Sequence, residues 1–383
     1  MPHYLLSAID PIHGRRVTEH VEAANGDEAV ARLVTRGLTD VVLHSDEVFA
    51  ALPGIDWESP AWTPADRLVM ARGSRLRFTL LCVSKVLTNE RWFFFAVFLL
   101  IVAVIVLRIV AWEYLGGGWY DAVFCAALLG LLIWLPGRVY FGRSRHLRTL
   151  KKLLVWGRWQ EALAFLPAVP FTVPFYRAYF EAQALAGLGR VAEAVQALAP
   201  FAEGREAPEW LYWSLLAEVY AIANDREQML AAKERALALS PQNPTLLLAV
   251  ADNLLQHTGD VRRARELLAA ARTHVISDSL RYMVSFVQAL LALEDGQPAL
   301  AREHLERGLV ERAPHRNSPM SLLQDALLRT YLAIALARCG QRDAALGQFR
   351  RAEKILRARR EHELLGKGER ELGLAPGGGG MLQ

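Results

Sequence analysis

Hydrophobic and polar positions follow three different rhythms along this chain. Over residues 1–45, short apolar runs alternate with polar residues at the period of two expected of half-buried strands. Residues 4–9 read as a strand, and Asp10-Pro11-Ile12-His13-Gly14 carries hairpin-turn chemistry. Val17, Val21 and Ala23 continue as a second strand. Asn25-Gly26-Asp27 then opens a helix with Ala29, Val30, Leu33 and Val34 on one face and Gly37 as its stop. Residues 39–44 return as a third strand, which completes a ββαβ module over residues 1–50.

The second rhythm is continuous. Residues 92–112 are apolar apart from Arg108, and residues 119–136 are broken only by Asp121. Each run is about long enough to cross a bilayer. The Gly-rich connector between them is so short that the two must form a transmembrane hairpin. Its flanks carry Arg67, Arg72, Arg75, Arg77, Lys85 and Arg91 on one side and Arg138, Arg143, Arg145, Arg148, Lys151 and Lys152 on the other. Positive charge stays on the cytoplasmic side, so both termini are expected in the cytoplasm, at the inner membrane of a bacterial cell. In the second run Ala122, Ala126 and Gly130 recur every fourth residue, a small-residue face that lets another helix approach. Arg108 and Asp121 stand near the outward turn and are expected to pair across the hairpin. Between module and hairpin, residues 51–90 read as a Pro- and Trp-bearing linker followed by a basic, apolar-faced helix. Such a helix suits anionic lipid headgroups.

The third rhythm is a long repeat of paired helices. From residue 143, turn residues Gly157, Gly189, Asn224, Gly259, Gly296 and Gly340 recur at spacings of 32, 35, 35, 37 and 44. Five positions after each comes Ala162, Ala194, Met229, Ala264, Ala301 and Ala345. Seven before each comes Leu150, Ala182, Ala217, Asp252, Ala289 and Ala333. Small residues at fixed offsets from a turn fit paired helices in close contact. Leu166, Leu198, Leu268, Leu305 and Phe349 fill one large position of the second helix in five units.

This pattern resembles the tetratricopeptide repeat, whose usual period is 34. Trp213, Leu216, Ala217, Tyr220, Ala236 and Pro241 fall on that family's signature positions. The resemblance implies an α-solenoid over residues 143–363, with first helices lining a concave groove. By that analogy a protein-binding groove would carry Tyr176, Tyr179, Gln183, Ser214, Glu218, Asn253 and Phe286. These residues suit an apolar or helical partner segment better than a peptide carboxylate. Residues 3–45 resemble the small cytoplasmic N-terminal domain of the type II secretion inner-membrane platform protein, the F component. The shared residues are Asp10…Gly14-Arg15-Arg16, Glu22-Ala23, Asp27-Glu28-Ala29 and Leu33…Gly37-Leu38. That likeness implies a cytoplasmic docking module.

Composition narrows the functional classes. The 53% hydrophobic content is raised by the two apolar runs, and the net charge of +4 is smaller than the count of basic residues flanking them, which leaves no surplus pointing to nucleic acid. The three cysteines, Cys82, Cys125 and Cys339, have no metal-like spacing. There is no phosphate-cradling glycine loop, and His362 in Arg360-Glu361-His362-Glu363 lacks the second histidine a zinc helix requires. No catalytic residue, cofactor or metal is expected. Arg357, Arg359, Arg360, Glu361 and Glu363 read as a solvated helix end, and residues 364–383 as a disordered tail ending in a Gly run. The expected fold is therefore mainly α: a ββαβ module, a two-helix hairpin and a tetratricopeptide-like solenoid. The expected function is an inner-membrane scaffold binding a membrane-associated protein partner. The alternative is a structural subunit of a transmembrane assembly, held through its hairpin.

Overall fold

The computed structural model describes residues 1–11, 13–47, 146–169, 173–204, 207–315 and 321–374. The expected hairpin, with Arg108, Asp121, Ala122, Ala126 and Gly130, and the linker and basic helix before it lie outside these residues. Among the described residues no helix is long and apolar enough to cross a membrane.

The N-terminal module has the elements its alternation predicts. Strands β1 (His3–Asp10), β2 (Arg15–Glu22) and β3 (Thr39–Leu43) form an antiparallel sheet in the order β2-β1-β3, and helix α1 (Gly26–Thr35) packs on one face. Asn25 caps α1 by accepting from the Glu28 amide at 2.8 Å, and the Glu28 carboxylate accepts from the Ala24 amide at 2.8 Å. This reciprocal arrangement satisfies the Glu28 amide, which the first helical turn leaves without a partner, and the Ala24 amide just before the cap. Tyr4, Leu6, Ala8, Val21, Ala23, Ala29, Leu33 and Leu43 make the module's core.

The rest of the described chain is a run of antiparallel helix pairs. They are α2 (146–155) with α3 (Trp159–Phe165), α4 (Pro174–Gly187) with α5 (Val191–Leu198), and α6 (Glu209–Ile222) with α7 (Arg226–Leu239). Next come α8 (Pro244–Asn253) with α9 (Val261–Arg272), α10 (Arg281–Glu294) with α11 (Pro298–Arg312), and α12 (Ser321–Arg338) with α13 (Arg342–Arg359). A last helix, α14 (His362–Glu371), packs on α12 and α13.

The six repeat turns fall where the sequence places them. Gly157, Gly189, Asn224, Gly259, Gly296 and Gly340 all have positive φ, between 63° and 81°. That left-handed residue ends one helix and aims the chain back along it. In five of the six turns the following amide bonds to a carbonyl five residues back, as from Arg158 to Leu153 and from Gln297 to Ala292. The fourth turn differs: α8 continues into a π-helical turn, Leu254–Thr258, and the Gly259 amide reaches Leu254 instead. Ala162, Ala194, Ala264, Ala301 and Ala345 are completely buried, as are Leu150, Ala182, Ala217, Ala289 and Ala333. Small residues there let paired helices meet closely, which is the packing that the resemblance to tetratricopeptide repeats implies.

Two features depart from the sequence reading. Residues 364–374 are not a disordered tail: α14 buries Leu364, Leu365 and Leu372 against the last pair, and Gly368 leaves room for the Phe349 ring. The expectation failed because α14 carries only a short apolar stripe among charges. The charged end of α13 is not a solvated face either. Arg359 donates to the Leu154 carbonyl at 3.2 Å and its guanidinium stands 5.0 Å over the Trp159 ring. The sixth pair therefore meets the first. Gly157 sits so close to the Ala358 carbonyl that a Cβ would come within 1.9 Å of its oxygen.

The module and the repeats form one compact unit. The joint is the loop between α9 and α10. The Asp278 amide donates to the Leu43 carbonyl at 2.9 Å, and the Val275 amide donates to Asp27 at 2.6 Å. His274 and Asp27 pair at 2.8 Å, and Val275 packs against the module's core.

Candidate functional site

The stacked pairs, with α14, surround a cavity of about 910 Å³. Its wall is built from four groups of elements: Gln183 on α4 and Glu218 on α6; Arg226, Met229 and Lys233 on α7; Asp252 and Asn253 on α8 with Gln256 and His257 in the π-helical turn; and Tyr331, Arg359, Glu361 and the polar face of α14. A π-helical turn shifts the side chains that follow it, and such turns are frequent at functional sites.

Lys233 stands at a position that is apolar in the other repeats, in the place of Leu166, Leu198, Leu268, Leu305 and Phe349. The π-helical turn adds one residue to the fourth pair, so the fully buried Ala251 fills the small position of Ala182 and Ala217, and Asp252 follows it as Gln183 and Glu218 follow those alanines. Lys233 and Asp252 face one cavity. Burial pushes the Lys233 ammonium below the usual lysine range, against the attraction of Asp252 and Glu218. Burial likewise raises the Asp252 carboxyl, against the attraction of Lys233 and the hydrogen bond from Gln256. That Gln256 bond is 2.5 Å, and the Tyr331 hydroxyl donates to the other end of the same amide at 3.3 Å. Burial also holds the His257 imidazole below its ordinary value and raises the Glu361 carboxyl. The shared repeat pattern does not announce this pair: Lys233 is one exception to it, and Asp252 falls at a position that is polar in the two preceding repeats as well, Gln183 and Glu218.

Most carboxylates of the wall are engaged. Glu218 accepts from the Tyr179 hydroxyl and, at 3.4 Å, from Gln183. Glu363 pairs with Arg226 and lies 3.5 Å from His257. Glu371 takes both Nε and Nη2 of Arg338. The Arg226 and His257 contacts tie α14 across the cavity to the third and fourth pairs.

The expected groove residues divide. Gln183, Glu218 and Asn253 line the cavity, and Tyr179 joins them through Glu218. Tyr176 and Ser214 are half-buried and are not part of its wall. Phe286 is 5% exposed and packs edge-on against Tyr331 with centroids 5.4 Å apart, so it belongs to the inter-repeat core. The groove analogy assumes an open array, and here closure and α14 redirect which faces are accessible.

A Ser–His–Asp chain lies where module meets repeats. His44 Nε2 is 2.8 Å from Ser7 Oγ and its Nδ1 is 3.0 Å from Asp278. That order resembles a hydrolytic triad. Ser7, however, is 1% exposed in the middle of β1, so no acyl group reaches its hydroxyl. The chain of bonds serves as a docking bridge. Among the described residues no cluster of His, Cys, Asp or Glu is arranged to hold a metal.

No protein-family model and no curated protein matches the sequence. The likeness of residues 3–45 to the secretion platform protein therefore rests on the quoted residues alone. Among solved structures, a chain in the crystal structure of the APC/C hetero-tetramer Cut9–Hcn1 is similar at 13% identity and a TM-score of 0.37. The match covers 58% of this chain and 51% of that one, so it spans about half that chain's length. At that distance the tetratricopeptide-like character of the array rests on its own geometry.

Proposed function

We propose that this chain is a scaffold anchored in a bacterial inner membrane, which binds a protein partner through its cytoplasmic helix-pair array and acts by tethering rather than catalysis. The observation that carries the reading is the closed array of six pairs with the N-terminal module fixed to it. This is one compact unit, joined in sequence to the candidate hairpin on both sides. Tethering at a membrane raises the effective concentration of the array towards membrane-bound partners. The basic flanks of the hairpin would meet anionic headgroups, and the N-terminal module would serve as a second docking element, as its resemblance to the platform protein suggests.

Photo-crosslinking tests this in intact membranes, with a photo-reactive residue replacing the half-buried Tyr176 on α4 or Ser214 on α6 and, in a third chain, Ala126. Capture of one discrete protein from the α4 or α6 position, reproduced when that protein is tagged and pulled down, supports the scaffold. Capture from Ala126 alone would overturn it in favour of a structural subunit held through its hairpin. Absence of capture at all three positions would also count against the scaffold.

A further inference from the structure

The cavity wall holds five basic side chains, Arg226, Lys233, Arg359, Lys367 and Arg370, and five acidic ones, Glu218, Asp252, Glu361, Glu363 and Glu371. Equal numbers conceal unequal engagement. Four of the carboxylates accept hydrogen bonds or ion pairs, from Tyr179 and Gln183, from Gln256, from Arg226 and His257, and from Arg338. The fifth, Glu361, has its carboxyl raised by burial, against the attraction of Arg359 and Arg226. Two of the cations are likewise taken: Arg226 by Glu363, and Arg359 by the Leu154 carbonyl and the Trp159 ring.

Lys233, Lys367 and Arg370 differ. Among the described residues, none of their side chains donates a hydrogen bond or forms an ion pair, although Lys367 Nζ stands 5.1 Å over the Tyr331 ring. The two lysines lie at opposite ends of one polar run. From Lys367 it passes over Tyr331, through the Tyr331 hydroxyl to Gln256, from Gln256 to Asp252, and from Asp252 to the field it exerts on Lys233. Lys233 is half-buried and lies in the attractive fields of Asp252 and Glu218 without a direct hydrogen bond from either. Lys233 also stands where five other repeats carry a large apolar residue, so packing does not account for it.

We propose that this cavity binds a small multivalent oxyanion, a phosphate- or carboxylate-bearing molecule, through Lys233, Lys367 and Arg370. The volume of about 910 Å³ lies within the range of small-molecule pockets. Closure of the array and α14 across it favour a compact ligand over a polypeptide strand. Lysine serves such ligands as a point charge, and the amides of Gln183, Asn253 and Gln256 add neutral donors to the same wall. The ligand would join α4, α7, α8 and α14, which makes it a brace of the closed array. This inference goes beyond the scaffold reading, and the crosslinking result neither supports nor removes it.

The test is calorimetric titration of the full-length chain, in mild detergent, with inorganic pyrophosphate and separately with citrate. The expected result is saturable binding of at least one probe, weakened tenfold or more by Lys233→Met and again by Lys367→Met. Lys354→Met, on the exposed face of α13, should leave it unchanged. Preference for pyrophosphate assigns a phosphate-bearing ligand, and preference for citrate assigns a carboxylate-bearing one. No saturable binding of either probe overturns the proposal. So does binding that survives both cavity substitutions, or that Lys354→Met weakens equally. Because the two lysines lie on different helices, misfolding of one variant would leave the other to decide.

Discussion

Gly157 and Gly296 make a matched pair for testing closure. Both end the first helix of a repeat with left-handed backbone, at φ +64° and +70°. Alanine at either position incurs the left-handed penalty of roughly 1–2 kcal/mol. Their surroundings differ. Nothing lies within 4 Å of a Cβ on Gly296, whereas a Cβ on Gly157 would meet the Ala358 carbonyl oxygen at 1.9 Å. Backbone cannot rotate out of the way as a side-chain tip would, so the last pair must separate from the first. Separation loses the Arg359 bond to Leu154 and the stacking on Trp159. A charged hydrogen bond contributes about 1.5–3 kcal/mol and a desolvated cation–π contact about 2 kcal/mol. These overlap, so Gly157→Ala should exceed Gly296→Ala by about 2–4 kcal/mol. Urea unfolding of the full-length variants, followed by circular dichroism, measures the difference. Amide exchange over residues 146–165 should also accelerate in Gly157→Ala alone. Equal destabilisation, with unchanged exchange in that segment, would refute the closure argument.

Three further predictions rest on named contacts. Asp278→Ala removes the carboxylate that His44 faces and, by loss of a buried charged hydrogen bond, should weaken docking of the N-terminal module by about 1.5–3 kcal/mol. Limited proteolysis should then release residues 1–47 faster while leaving the repeats resistant, and an unchanged cleavage pattern would count against the docking bridge. Glu47 accepts from the Tyr4 hydroxyl and, at 3.0 Å, from the Gly26 amide, and burial raises its carboxyl above the ordinary value. A raised carboxyl binds its proton more tightly in the folded state, so its contribution is full below the ordinary carboxylate range and is lost as pH rises through the raised value; Glu47→Gln should flatten the thermal midpoint across that window, and an unaltered slope would contradict it. Lys233 stands where five other repeats carry Leu or Phe, so Lys233→Leu restores that position and should raise stability by up to about 1.5–3 kcal/mol in differential scanning calorimetry; a lowered midpoint would contradict this reading.

The parts legible in the sequence are those that local chemistry dictates. Left-handed turns need Gly or Asn, and close helix pairs need Ala, so Gly157 to Gly340 and their alanines announce the repeats. Alternation in residues 4–23 and the Asn25 cap likewise announce the module. Closure was not legible, because Gly157 and Ala358 are about 200 residues apart and nothing local distinguishes Gly157 from Gly189. Docking of the module was hidden for the same reason: Asp27 and Asp278 look like ordinary turn and cap residues until the fold brings them to His274 and His44. Helix α14 was missed because its burial comes from the last pair rather than from its own pattern. Of the candidate groove, Gln183, Glu218 and Asn253 share the cavity, whereas Phe286 obeys the more general tendency of aromatic residues to fill a core.

Closure of the array is the feature on which the cavity, the candidate ligand and the proposed scaffold all depend. It is tested most directly by a spin-label distance between Lys152 and Arg360, in a chain whose three cysteines are replaced by serine. Both positions are exposed, and they flank the Gly157–Ala358 contact by five and two residues. A helical rise of 1.5 Å per residue places Lys152 about 8 Å from Gly157, so the labels should lie within roughly 30 Å of one another. In an open stack, with helices about 10 Å apart, the first and sixth pairs would stand on the order of 50 Å from each other. A narrow distribution below 30 Å is the result the closed array predicts. A broad distribution centred near 50 Å would contradict it, and would remove the cavity with it.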